Sequence, residues 1–495
     1  MKFRLVARVL SLISLVISLC FTLPIAWSWL DESGDFWAFG ASLSCGMTIS
    51  AALYGLSYLG RLPLLTEGEA AYEELGIREA LAVVGLSWVI ATTVGALPFL
   101  FSGALTSYTD AFFEAMSGFT TTGSTVIEDL NLVSRAVLFW RSMTHWLGGM
   151  GIIVLSLAVL PFLGVGGMEL YKAEVPGPTP EKLTPRVQQT ALFLWEVYVL
   201  LTGLETILLM LGGMDLFDAL NHAFGTVATG GFSTRNESVA YYQSPYIEWV
   251  ITFFMFAAGV NFSLHFLFLT GGWRRAWRDE EFLLYAKFFL GSAGLVAAVL
   301  WLEGTFSAGR SMRAAAFQVA SFMTTTGFVS ENYILWPRFV QFLILLLAFA
   351  GGCAGSTGGG LKVVRLLVLG RCIGREVLST LHPRAVTQTR VNGKVVSPKA
   401  LNAVLAFFTL YVMIFVTSTL AVIAMGGNKL NTPTAISGVV ASLSNLGPGL
   451  GSLGVPETYA WLPPAVKWIF CFCMLAGRLE LYSVILLFFP ATWRR

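Results

Sequence analysis

Apolar runs of about twenty residues or more alternate along this chain with short polar stretches. The first follows Lys2, Arg4 and Arg8 and continues to about Leu30; the second spans roughly Trp37 to Leu59. A four-part unit then repeats: an apolar run, a short helix-like segment, a polar turn and a second apolar run. The outer runs are about Ile77–Phe101, Val187–Leu211, Phe282–Leu302 and Ala400–Met425. The inner runs are about Arg135–Leu163, Tyr246–Thr270, Arg338–Leu369 and Ala465–Phe489. Each reaches the roughly 20 apolar residues that cross a bilayer. The short segments are Thr109 to Ser117, then helices starting at Asp215, about Ser311 and Thr432. Thr432-Pro433 reads as a cap followed by proline at the first helical position. The pattern predicts an all-α polytopic membrane protein. Four pseudo-symmetric helix–pore loop–helix repeats would surround a central pore, at residues 67–170, 171–275, 276–375 and 376–495. Residues 1–66 would form a two-helix N-terminal appendage, retained rather than cleaved because the run is long and has no small-x-small site.

The polar turns carry the repeat's signature. Phe119-Thr120-Thr121-Thr122-Gly123-Ser124 is the first, and Ala228-Thr229-Gly230-Gly231-Phe232 the second. Thr324-Thr325-Thr326-Gly327-Phe328 and Ser444-Asn445-Leu446-Gly447-Pro448 complete the set. The key glycines Gly123, Gly231, Gly327 and Gly447 mark a fourfold internal repeat. The chemistry suits a dehydrated alkali cation, which needs a ring of oxygen dipoles in place of its water. An extended Thr-Thr-Gly backbone would turn carbonyls toward one axis, with glycine allowing the unusual dihedrals and threonine adding hydroxyl oxygens. A lone copy is more often a polar turn; four copies between membrane-length runs are not. The candidate cation-binding residues are Thr121, Thr122 and Gly123; Thr229, Gly230 and Gly231; Thr325, Thr326 and Gly327; and Asn445, Leu446 and Gly447.

Composition agrees. The 495 residues are 56% hydrophobic and 12% charged, with a mean hydropathy of +0.72. Soluble domains carry about 25% charged residues. The net charge of +2 says little about partners, and the lack of a visible basic face argues against nucleic acid. Cys20, Cys45, Cys353, Cys372, Cys471 and Cys473 mostly sit in apolar runs without a CxxC pair, so buried or lipid-facing thiols are expected. His145, His222, His265 and His382 show no metal-ligand spacing. Lys/Arg bias sets orientation. Loops opposite the polar turns hold Lys172, Lys182 and Arg186, then Arg274, Arg275 and Arg278. Arg371, Arg375, Arg384, Arg390, Lys394 and Lys399 follow, and Arg494 and Arg495 end the chain. The turn-side loops include Asp31, Glu32, Asp35, Glu128 and Asp129. The turns therefore face outside and both termini the cytoplasm. The largest cytoplasmic loop, about Gly370 to Pro398, is too short for a nucleotide-binding domain.

The third inner run contains six glycines between Gly351 and Gly360. Glycine costs up to about 1 kcal/mol per helical residue relative to alanine, so the helix should break there. Broken backbone at membrane depth is tolerated where it lines a wet cavity or is buried in protein, which predicts a loop inside the pore, below the filter. Close helix packing through small residues is the alternative. A phosphate loop fits worse, because Lys362 follows Gly360 with Leu361 between.

With these features placed, the chain resembles the TrkH/KtrB superfamily of potassium transporters over nearly its whole length. Beyond the four turns, His145-Trp146-Leu147-Gly148-Gly149-Met150-Gly151, Gly351 to Lys362, and Ala476-Gly477-Arg478-Leu479-Glu480 carry the likeness. The two extra N-terminal spans favour the TrkH branch. The resemblance implies potassium uptake across a bacterial inner membrane by a homodimer with one pore per protomer. It also implies a separate cytosolic, TrkA-like nucleotide-binding subunit. Nucleotide would sit on that subunit only, potassium would be the substrate, and no covalent cofactor is expected. The resemblance makes the glycine-rich loop the gate: Gly351, Gly352, Gly355, Ser356, Thr357, Gly358, Gly359 and Gly360, with Lys362 and Arg478. Arg478 sits near the middle of the last span, where a charge is a functional candidate. A guanidinium about 10 Å from a passing cation repels it by roughly 1.7 kcal/mol at an effective dielectric near 20. Alternatively it bonds loop carbonyls and holds the fold. Two departures, Gly230 and Leu446, remove hydroxyl oxygens from their turns. A cation-coupled symporter should instead show inverted repeats, and an intramembrane enzyme a facing nucleophile and base.

Overall fold

Each of the four repeats runs outer helix, short pore helix, polar turn, inner helix. In the computed structural model, which describes residues 2–58, 76–151, 187–384, 388–427, 430–454 and 456–493, the outer helices are Ile77–Gly95, Val187–Leu211, Glu280–Leu302 and Pro398–Met425. The pore helices are Tyr108–Phe119, Leu216–Val227, Ala308–Met323 and Thr432–Leu443. Polar side chains start many of these elements by accepting an otherwise unpaired backbone N–H. Asp215, Asp279 and Ser397 cap the second pore helix and the third and fourth outer helices. Asn431, not Thr432, caps the fourth pore helix, accepting from the Thr434 N–H at 2.9 Å. The sequence placed that start one residue late because threonine before proline also reads as a cap.

Six described helices are long and apolar enough to cross a membrane, or seven if one bent pair counts as a span. The first, Phe3–Leu30, turns at Phe21 between Phe3–Cys20 and Thr22–Leu30. Pro24 explains this, since it has no N–H to offer the Cys20 carbonyl. This span packs on Phe36–Tyr58 through small residues. Ser14 donates to the Gly46 carbonyl at 3.1 Å, and a Cβ on Gly46 would stand 2.1 Å from the Ser18 hydroxyl oxygen. The charged stretch near Glu67, the basic positions Lys172, Lys182 and Arg186, and the C-terminal Arg494 and Arg495 lie outside the described residues.

The inner helices depart from the expected continuous spans. The first, Arg135–Gly149, turns at Met150 and Gly151, and the continuation expected to Leu163 lies outside the described residues. The second is Pro245–Ala258 and Phe262–Leu269, bent by 101°. The third breaks as the glycines predict, between Arg338–Ala350 and Val363–Leu381. The fourth stops at Arg478 and resumes at Tyr482. Broken backbone must find partners inside the protein, and these breaks partner one another. Cys353 N–H donates to the Gly259 carbonyl at 2.8 Å, and Phe262 N–H to Gly355 at 3.0 Å. Only the third run has glycines dense enough to announce a break by themselves; the one to three glycines at the other breaks also fit close helix packing.

Candidate functional site

Each pore helix delivers its turn with the same backbone bond. Thr122, Gly230, Thr326 and Leu446 N–H groups donate to Ser117, Gly225, Ser321 and Ala441 carbonyls at 2.8, 2.7, 2.8 and 2.8 Å. The turns are not plainly extended. Thr121, Thr229, Thr325 and Asn445 have φ of 53°, 55°, 59° and 56°, and the key glycines 86°, 76°, 83° and 96°. In an extended strand successive carbonyls face opposite ways; a left-handed residue at every second position turns them to one side. Non-glycine residues take positive φ only a few per cent of the time, and four at matching positions mark backbone held for a purpose.

The four turns close into a ring. A Cβ on Gly123 would lie 2.1 Å from the Gly230 carbonyl oxygen, and one on Gly231 2.0 Å from that of Thr326. One on Gly327 would lie 2.1 Å from Leu446 O, and one on Gly447 2.5 Å from Thr122 O. Every key glycine thus faces the carbonyl preceding the key glycine of the next repeat, and the fourth returns to the first. Asn445 strengthens that closure by donating to the Thr122 hydroxyl at 3.0 Å.

Side chains brace the ring. The Thr120 and Thr122 hydroxyls meet at 2.8 Å, and those of Thr324 and Thr326 at 2.7 Å. In the second turn glycine stands where Thr122 and Thr326 stand in the first and third. A Cβ on Gly230 would be 2.4 Å from the His145 ring. That imidazole bonds the Gly118 carbonyl at 2.8 Å and stacks on Phe232, ring centroids 4.0 Å apart. It occupies the space of the missing side chain. Further out, Glu114 on the first pore helix accepts from Arg141 Nε at 2.6 Å, both fully buried, and from the Val126 N–H at 2.8 Å. Arg141 also donates to the Ser233 carbonyl of the second repeat at 2.9 Å. Lys467 joins Asp110 at 2.6 Å, and Arg313 joins Glu248 at 2.8 Å, linking the first repeat to the fourth and the second to the third. These pairs were not foreseen from the sequence, where a charge inside an apolar run was their one visible sign.

Gly351 to Gly360 lies directly under the ring. Gly359 N–H donates to the Thr325 hydroxyl at 2.7 Å, and Gly360 N–H to the Ser444 carbonyl at 3.1 Å. The Thr357 hydroxyl reaches Val227 O at 3.0 Å. A Cβ on Gly359 would lie 2.1 Å from Ser444 O, so this glycine permits the close approach. Lys362 bonds the Gly358 carbonyl. Arg478 donates to the carbonyls of Thr357, Gly148 and Gly149 at 2.7, 2.7 and 2.9 Å. It ties the loop to the broken end of the first inner helix. Glu480, within the break, pairs with Arg365. A cavity of about 100 Å³ is bounded by the loop, Arg478 and Glu480. On the other side of the ring a space of about 70 Å³ borders all four key glycines. The residues predicted for filter and gate are therefore contiguous, with the loop between the ring and the inner cavity.

A family model described as "TrkH: Cation transport protein" matches residues 46–293 and 303–494. The Trk system potassium uptake protein TrkH of Salmonella typhimurium is 41% identical, with both chains covered in full. The Trk system potassium uptake protein TrkI of Halomonas elongata is 32% identical over 99% of this chain and 97% of its own. The crystal structure of the potassium transporter TrkH from Vibrio parahaemolyticus superposes with a TM-score of 0.86 at 35% identity, covering both chains in full.

Proposed function

The chain belongs to the TrkH family of cation transport proteins, and from that premise we propose that it takes up potassium through the ring of four turns. It is a multi-pass membrane transporter rather than an enzyme. The single observation that carries the permeation reading is the closed ring: four key glycines, each against a carbonyl of the next repeat. Backbone oxygens so arranged replace the hydration shell of an alkali cation. In this reading Gly351 to Gly360 is the gate, since it hydrogen-bonds two of the four turns from below. Arg478 holds it closed through carbonyls and adds a positive barrier beside the path. The filter mouth faces outward from the bacterial inner membrane, and both termini lie in the cytoplasm, as the basic loops indicate. The protein works as a homodimer with a cytosolic nucleotide-binding subunit of the TrkA kind. A matching fourfold turn geometry favours a pore over an inverted-repeat symporter.

Replacing Gly123 with serine tests the filter. The new side chain would enter the Gly230 carbonyl, so bi-ionic flux should show a lower preference for potassium over sodium. An unchanged ratio in folded protein would remove Gly123 from the filter.

A further inference from the structure

Three consecutive acidic residues, Asp279-Glu280-Glu281, begin the outer helix of the third repeat at the end remote from the filter mouth. Glu281 is buried. Its Oε1 accepts two backbone bonds, from Ala354 N–H at 2.7 Å and Val364 N–H at 3.0 Å. Ala354 lies within the glycine-rich loop, and Val364 in the first turn of the helix that follows it. The first N–H groups of a helix have no partner within it, and its positive end attracts a carboxylate. One oxygen atom thus fastens both the loop and the start of the next helix.

The two preceding residues are fastened to something else. A small hairpin pairs Arg390–Val391 with Lys394–Val395, turning at Asn392 and Gly393 with φ of 49° and 74°. Asn-Gly is the preferred sequence for a two-residue hairpin turn in which both positions take positive φ. Its tip grips the helix start from three directions. Asn392 Nδ2 donates to Asp279 Oδ2 at 2.7 Å, Asn392 N–H to Glu280 Oε2 at 2.6 Å, and Glu280 N–H to Asn392 Oδ1 at 2.9 Å. Arg371 donates to Glu280 Oε2 at 2.9 Å and to the Arg390 carbonyl. The surface hairpin and the intramembrane loop are therefore joined through three adjacent residues.

We propose that Glu281 is the latch that holds the glycine-rich loop under the filter, and that the Asn392-Gly393 hairpin is the handle that sets the latch. The proposal rests on the loop being the gate. Glu281 is a positioning residue; it acts through Ala354 and Val364 and touches no ion. Drawing the tip away from Asp279 and Glu280 frees the helix start, and the Glu281 carboxylate leaves the loop with it.

The test is rubidium flux through purified protein in liposomes, with sodium competition measured alongside. Glu281→Ala should raise flux about tenfold, the factor that roughly one charge-assisted hydrogen bond is worth. The preference for rubidium over sodium should not change. Glu281→Gln should stay closer to wild type than Glu281→Ala, because its amide oxygen can still accept both bonds, though without the carboxylate's charge. Asn392→Ala, at a half-exposed turn, should raise flux less and add nothing on top of Glu281→Ala, as expected of two sites in one linkage. Flux in Glu281→Gln equal to that in Glu281→Ala would overturn the latch. So would wild-type flux in a folded Glu281→Ala protein, or fully additive effects of the two alanines. If Glu281→Ala does not fold, Asn392→Ala decides alone, and wild-type flux overturns the proposal. A variant with a shortened loop separates the two readings. If its flux does not rise, the loop is not the gate; if it rises while both alanine variants match wild type, the gate stands and the latch falls.

Discussion

At Gly230 a single absent side chain reports on a residue far away in sequence. The spelling of the second turn was visible as a departure, but its cause was not, because His145 belongs to the preceding repeat. Gly230→Thr would drive a methyl and a hydroxyl into the imidazole, which stands 2.4 Å from the position of a Cβ. Overpacking of this kind costs about 1–3 kcal/mol, so the variant should melt below wild type in detergent. His145→Ala in that background should recover part of the loss; no recovery would mean the imidazole is not the obstacle. Arg478 illustrates the opposite case. The sequence offered two roles, a barrier to passing cations or an anchor for the loop, and the three carbonyl bonds support the anchor. Arg478→Ala removes both barrier and anchor, so rubidium flux should rise. A fall in flux through protein that melts like wild type would contradict both roles.

Among the elements, outer and pore helices were legible, but of the breaks in the inner helices only the third was. Helix starts follow from side chains such as Asp215 and Asn431 that accept the first free N–H groups, and such residues can be read locally. The bends at Gly259 and after Arg478 depend on partners from other repeats, Cys353 and the ends of the first inner helix. No window along the chain contains those partners. The pore helices also carry a hidden dependence on charge. Glu114 is fully buried against Arg141, which in turn reaches the second repeat. Removing one member leaves the other buried and unpaired, at a cost of about 3–5 kcal/mol. Glu114→Ala should therefore lower the melting temperature markedly, and more than Lys467→Ala, whose partner Asp110 is partly exposed. Equal small shifts for both would show that the pairs do not brace the turns.

In the whole molecule, repetition alone announced the number of turns, and their contiguity followed from the fold. What repetition could not supply is the order of contact. The ring closes in chain order, each glycine against the next repeat's carbonyl, and among the described residues the third repeat alone sends a glycine-rich loop beneath it. The most direct test of this arrangement is uptake of rubidium by liposomes that contain only this purified chain. Rubidium should accumulate above empty liposomes, potassium should compete with it, and sodium at the same concentration should not. Serine at each of the four key glycines in turn should weaken that preference in the same direction. Equal competition by sodium in the wild-type protein, or a preference untouched by all four substitutions, would contradict the claim that these turns form one cation-selective ring.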